Sequence, residues 1–300
     1  VGNLVVGGSG KTPFVGWLAQ KLRAAGEKVA ILSRGVSGAL GARVNVVSDG
    51  EHVLMAPADV GDEPVWLAST VPGVPVLAGR NRVALGLRAS AVFGAEILIL
   101  DDGFQHHRLV RDIDLVCVDA HLGLGNGHVL PRGPLREPCH ALGLADAIIW
   151  TRCPPHPERP FRDSRIPAAL PHYRVRMTPC RLRTMAGTES EDPKVLQGQK
   201  VGVLAAIARP EGLTRTLEDL GATVVKLVTY RDHHLYSRAE IAALDPALLW
   251  VTTGKDAVKI PSSWAAGRRL MVLEEKVEVS QHAALIEWII DRLGFGARWR

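Results

Sequence analysis

Four cysteines, Cys117, Cys139, Cys153 and Cys180, are scattered through 300 residues with no C-x-x-C pair among them. That spacing argues against a structural zinc site or a disulfide framework, and it suits a reducing cytosolic location. Long apolar runs are also missing. Stretches such as Ile97 to Leu100 fall far short of the roughly 20 residues that a membrane helix requires. No internal repeat has a clear period. Without a helix-turn-helix signature, an aromatic RNA platform or a dense basic block, nucleic acid is not an expected partner, and nothing marks an obligate protein partner. The net charge of +5, carried largely by arginine, instead suits an anionic substrate or an acidic membrane surface, because guanidinium pairs bidentately with phosphate.

What is present is enough apolar sequence, 47% of residues, to bury one large core or two medium ones. From Val1 onward, short β-branched runs alternate with longer amphipathic stretches, the pattern of βαβ units and a parallel sheet flanked by helices. Strands are expected at Leu4 to Val6, Val29 to Ser33, Val74 to Leu77, Ile97 to Leu100, Asp114 to Val118 and Ala147 to Trp150. Helices are expected at Thr12 to Ala25, Pro64 to Ser69, Arg80 to Phe93 and Ala141 to Leu144. From Arg152 to about Pro193 the chain is rich in Pro and Arg, which suits an irregular crossing or a two-stranded connector. A boundary near Glu191 would leave 1–190 as the first domain with its connector and 191–300 as a smaller α/β domain. In the latter, strands are expected at Lys200 to Ala205, Thr223 to Thr229 and Leu248 to Thr252, with helices at Pro210 to Leu220 and Gln281 to Leu293.

The chemistry begins at Gly7-Gly8-Ser9-Gly10-Lys11-Thr12, set between an expected strand and an expected helix. Glycines let successive backbone N–H groups point at phosphate and the helix N-terminus favours negative charge. Lys11 can reach the β/γ-phosphates and Thr12 can ligate Mg²⁺. Val5 stands where the strict P-loop pattern has glycine, and Gly7 and Gly8 supply the flexibility instead. Ile97 to Leu100 then ends in Asp101-Asp102, acids placed to hold the Mg²⁺ that accompanies ATP. Gly103-Phe104-Gln105-His106-His107 follows, bringing an amide and two imidazoles near that metal; adjacent histidines on extended chain point opposite ways, so at most one faces the site. The class is α/β with a P-loop NTPase-type sheet.

The runs Asp101-Asp102-Gly103-Phe104-Gln105-His106 and Gly2-Asn3-Leu4, with the phosphate loop, resemble the tetraacyldisaccharide 4′-kinases of lipid A synthesis. Ser33-Arg34-Gly35, Gly61-Asp62-Glu63-Pro64, Gly79-Arg80-Asn81-Arg82, Gly125-Asn126-Gly127, Gly133-Pro134-Leu135-Arg136-Glu137-Pro138, Asp232-His233-His234 and Lys255-Asp256-Ala257-Val258-Lys259 carry the resemblance to about residue 259. It implies two Rossmann-like domains and transfer of the ATP γ-phosphate to the 4′-hydroxyl of a tetraacylated disaccharide 1-phosphate at the cytoplasmic face of the inner membrane. It also implies a hydrophobic N-terminal anchor ahead of Val1. By the same resemblance Asp62 is the base, paired with His233 or His234. Asp62 also reads as an ordinary N-cap, and the two roles are compatible. Arg136 is placed to neutralise transferring phosphate, Glu137 to assist Mg²⁺, and Arg80 and Arg82 to meet ATP or the acceptor's phosphate. The chain departs from the family pattern at Val36, Ala206, Ala208 and Gly254. Two rival readings are a regulatory P-loop NTPase, although Gly254-Lys255-Asp256 lacks the residue a guanine motif places between Lys and Asp, and a nucleotide-gated metal-delivery protein using His106-His107 and His233-His234.

Overall fold

The computed structural model describes residues 1–35, 43–154, 161 and 163–294. Val36, one of the departures from the family pattern, lies outside them. The chain forms two compact units, and they do not divide at a single point near Glu191. One comprises Val1–Met55, Leu67–Met177 and the stretch from Val277; the other comprises Ala56–Trp66 and Thr178–Lys276.

In the first unit the apolar runs assemble a parallel ladder. Strand β1 (Val29–Ser33) lies between β3 (Val76–Ala78) and β4 (Ile97–Leu100), and β2 (Asn45–Ser48) closes the edge antiparallel to β3. β5 (Leu115–Asp119), β6 (Ala147–Thr151) and the start of β7 (His172–Thr184) form a second parallel set. β1, β5 and β6 are buried along their full length, as their unbroken hydrophobicity requires of strands covered on both faces. Helix α1 (Lys11–Ala24) buries Phe14, Val15, Leu18 and Leu22. Helix α4 (Arg82–Phe93) starts at Asn81, whose side chain accepts the Ala84 N–H at 3.1 Å, and stops at left-handed Gly94. Helix α8 (His282–Arg292) belongs here and buries Leu285 and Ile289.

Leu4 to Val6 is not the regular strand its hydrophobicity suggests. Gly2 makes a parallel bridge to Val116, while Val6 N–H donates to Pro134 O at 2.9 Å and Arg136 N–H donates to Leu4 O at 2.7 Å. The side-chain amide of Asn3 takes up Val5 O, so the local hydrogen bonds go to a loop and a side chain rather than to a ladder. Ala141 to Leu144 is likewise no α-helix but the end of a 3-10 turn, Cys139–Leu144.

The second unit is a smaller parallel sheet. β9 (Lys200–Ala205) lies between β10 (Thr223–Thr229) and β11 (Leu249–Thr253), and β12 (Leu270–Val279) pairs beyond β11. Gly202 makes room for the buried Trp250 ring, since a Cβ there would lie 2.5 Å from Trp250 Cε3. Helices α2 (Pro57–Val60) and the start of α3 (Asp62–Thr70) belong to this unit, as do α5 (Pro210–Asp219), α6 (Arg238–Ala242) and α7 (Gly254–Ala257). The Arg- and Pro-rich stretch contains the thirteen-residue β7, which continues from the first unit and pairs antiparallel with β8 (Ser190–Glu191).

Candidate active site

The phosphate loop is built by what surrounds it. Gly10 caps α1 with φ 74°, a left-handed conformation that favours glycine, and a Cβ there would sit 3.3 Å from the Thr151 Cβ. Thr151, at the end of β6, donates its hydroxyl to Ser9 O at 2.6 Å and so ties the loop to the sheet. Ser9 is buried with its Oγ unpartnered, a donor available to an anion in the loop. Lys11 donates to Asn3 Oδ1 at 2.9 Å and pairs with Asp102 at 3.1 Å. Asp102 also receives Arg136 Nη1 on both oxygens, at 2.9 and 2.8 Å. Burial opposes ionisation of Asp102, but Lys11 and Arg136 outweigh it and hold its carboxyl below the usual range.

Asp101 directly follows β4, and Thr12 Oγ1 donates to its Oδ2 at 3.4 Å. A hydroxyl and a carboxylate, both buried, are the hard oxygen donors that Mg²⁺ accepts, and Mg²⁺ commonly completes its shell with phosphate and water rather than further protein ligands. The residues fit the ion. Gln105 turns its amide nitrogen to Asn3 O at 3.1 Å and its oxygen to Arg136 at 3.5 Å. Glu137 meets His107 Nε2 at 3.1 Å through Oε1, leaving Oε2 buried and unpartnered. Arg82 is buried, donates to Gly79 O at 2.8 Å, and lies in the field of Asp102 and Asp101.

The second constellation lies in the smaller unit. Asp62 opens α3 and is 5% exposed; His233 Nδ1 stands 2.7 Å from its Oδ1, which also accepts the Glu63 N–H at 3.0 Å. Lys259 Nζ lies 3.5 Å from Oδ2. Burial raises the cost of charging Asp62, yet His233, Lys259 and Lys255 together hold its carboxyl below the usual range, while the Asp62 hydrogen bond raises His233. His234 points elsewhere: its ring stacks on Tyr230 at 4.5 Å and its Nε2 meets Glu240 at 3.1 Å. His233 has φ 64° and Asp102 has φ 58°, so each constellation contains a non-glycine residue in the left-handed region.

Gly254 has a local reason. A Cβ there would lie 2.6 Å from Trp66 Nε1, so the glycine and the indole go together. Ala206 meets the site through its backbone, its N–H donating to Asp256 at 3.1 Å and its carbonyl accepting from Lys259 at 3.2 Å. Three contributors escaped the sequence reading as site residues. Asn3 and Lys259 sit inside quoted motifs but carry no spacing signal, and Thr151 lies in an apolar strand without any mark.

A glycine loop leading into a helix, with a paired lysine at the helix start and two acids directly after the neighbouring strand β4, defines a P-loop phosphotransferase. The family described as LpxK, tetraacyldisaccharide-1-P 4′-kinase, matches residues 1–294, and the chain belongs to that family. Tetraacyldisaccharide 4′-kinase of Syntrophus aciditrophicus is 42% identical over 277 residues, covering 87% of this chain and 74% of that protein. The enzyme of the same name from Anaeromyxobacter sp. strain K is 41% identical over 304 residues, covering 97% and 80%. The crystal structure of LpxK from Aquifex aeolicus in complex with ATP superposes with a TM-score of 0.79 at 29% identity, covering 97% of this chain and 87% of that one.

Proposed function

We propose that this chain transfers the γ-phosphate of ATP to the 4′-hydroxyl of a tetraacyldisaccharide 1-phosphate, with Asp62 as the base. The observation that carries the assignment is the buried Asp62 carboxylate held 2.7 Å from His233 Nδ1. A sugar hydroxyl is a weak nucleophile, and a positioned carboxylate that takes its proton as the new O–P bond forms removes that difficulty. The acceptor oxygen bonds to phosphorus, the bond from phosphorus to the ADP oxygen breaks, and the hydroxyl proton passes to Asp62. His233 orients the carboxylate through Oδ1.

On the donor side Lys11 and the loop amides hold the phosphates, and Arg136 neutralises charge on the transferring group. Thr12 and Asp101 would hold Mg²⁺, with Asp102, Gln105 and Glu137 around them; when bound, the ion neutralises phosphate charge. Asp102 pairs with both Lys11 and Arg136, so it keeps these two cations directed at one place. Arg82, held by Gly79 O, adds positive charge in the field of the two acids. Because the acceptor is a lipid, the enzyme works at a membrane surface, for which we assign the cytoplasmic face of the inner membrane. No described helix is long and apolar enough to cross a bilayer.

The rival readings find less support. Lys255 is paired with Glu63 at 2.6 Å and Asp256 is buried beside Lys259, so neither serves as a base-reading pair. Among the described residues no three His, Cys, Asp or Glu side chains converge to hold a metal, which removes support for metal delivery. Asp62→Asn tests the assignment: kcat falls by about 10²–10⁴-fold while ATP affinity, measured by calorimetry, stays at the wild-type value. Normal turnover by that variant would make another group the base.

A further inference from the structure

Behind Asp62 lies a second buried layer of charge. The Lys259 side chain is 0% exposed, and its ammonium meets three oxygens: Asp256 Oδ1 at 2.8 Å, Ala206 O at 3.2 Å and Asp62 Oδ2 at 3.5 Å. Asp256 is equally buried and is fixed by the Ala206 N–H, the Tyr236 hydroxyl at 3.1 Å and the Thr253 hydroxyl at 2.8 Å. Asp256 therefore has enough donors to be a rigid anchor, while Lys259 stands between two carboxylates.

We propose that Lys259 is a positioning residue: held by Asp256, its ammonium fixes the orientation and the negative charge of Asp62 from the side opposite His233. This rests on Asp62 being the base. A lysine with three donors directed at two carboxylates and a carbonyl has no freedom to leave, and an ammonium within ion-pair distance in a buried site strongly favours the charged carboxylate. The groups that face Asp62 are His233 from the loop after β10, with Asp232 beside it; Lys255, Asp256 and Lys259 from α7 and the residue turn that follows; and Glu63 on α3 itself. Lys255 is paired with Glu63. Lys259 is thus the cation whose removal changes the field on Asp62 without releasing another carboxylate on α3.

Lys259→Met and the double variant Asp256→Asn/Lys259→Met separate this role from one in folding, because the double variant removes the anchor's charge together with the lysine. In both, the acidic limb of the kcat–pH profile moves upward, by about one unit in the single variant, and KM for ATP is unchanged. The imidazole titration of His233, followed by ¹⁵N NMR, also moves upward, since a nearby positive charge has gone. The double variant recovers thermal stability and keeps both shifts in direction but at reduced size, because the opposing Asp256 charge is removed with the lysine that meets Asp62 directly, so it decides the matter if the single variant does not fold. A fall in kcat uniform across pH, with His233 titrating as in wild type, restricts Lys259 to structural support and overturns the proposal. If Asp62→Asn turns over normally, the base assignment falls, and the His233 titration alone decides whether Lys259 acts on Asp62.

Discussion

Asp62 and His233 show how two side chains of ordinary chemistry acquire a defined protonation state. The carboxyl is held below its usual value of 3.8 by His233, Lys259 and Lys255 acting against burial, and the imidazole is held above its usual 6.5, chiefly by the hydrogen bond to Asp62. Folding stability from Asp62 is therefore fully present above 3.8 and is lost as pH falls through the lower folded value; that from His233 is fully present below 6.5 and is lost as pH rises through the higher one. Thermal midpoints measured against pH will show the difference between wild type and Asp62→Asn greatest between 3.8 and 6.5, shrinking on either side. At this scale the sequence exposed the residue types at both constellations through motifs, whereas the choice between His233 and His234 needed the fold. The left-handed backbone of His233 sends its ring to Asp62, and Tyr230 and Glu240 take His234. Lys259 carries no signal as a partner of Asp62 because it lies far along the chain from it and no spacing links the two.

Elements carry the phosphate loop into place, and β6 does so through one hydroxyl. The Thr151 bond to Ser9 O joins positions 142 residues apart, which is why no local pattern announces it. Thr151→Val preserves shape but leaves a buried carbonyl without its donor, a cost of about 1–3 kcal/mol. We expect a raised KM for ATP with little change in kcat at saturation, measured by coupled assay. The strands that were legible, β1, β3, β4, β5, β6, β9, β10 and β11, are largely apolar or β-branched runs. β7 was not, because Pro179 and several arginines interrupt its pattern while its length is set by pairing with distant segments. β12 was passed over for a related reason, as Glu274, Glu275 and Lys276 dilute its apolar half. The Leu4 to Val6 segment failed oppositely. Its hydrophobicity is real, with Leu4 buried against Phe104, Val116 and Leu135, but its hydrogen bonds go to a loop.

For the whole molecule, domain organisation was the least legible level, because each unit is assembled from separated segments. The smaller unit takes Ala56–Trp66 from far upstream, and the chain from Val277 returns to the larger one. A fragment of residues 191–300 would carry His233 and Lys259 but lack Asp62 and the whole of β7. It should unfold without a cooperative transition in urea, whereas the full chain should unfold cooperatively. A sharp transition in the fragment would contradict this division. The central claim, that a P-loop phosphoryl donor serves a lipid-linked sugar hydroxyl in this chain, is tested most directly with γ-labelled ATP and a tetraacyldisaccharide 1-phosphate acceptor in mixed micelles. The account predicts label at the 4′-oxygen with wild type, and a loss with Lys11→Ala or Asp62→Asn. Release of label only as inorganic phosphate, at a rate indifferent to the acceptor, would contradict it.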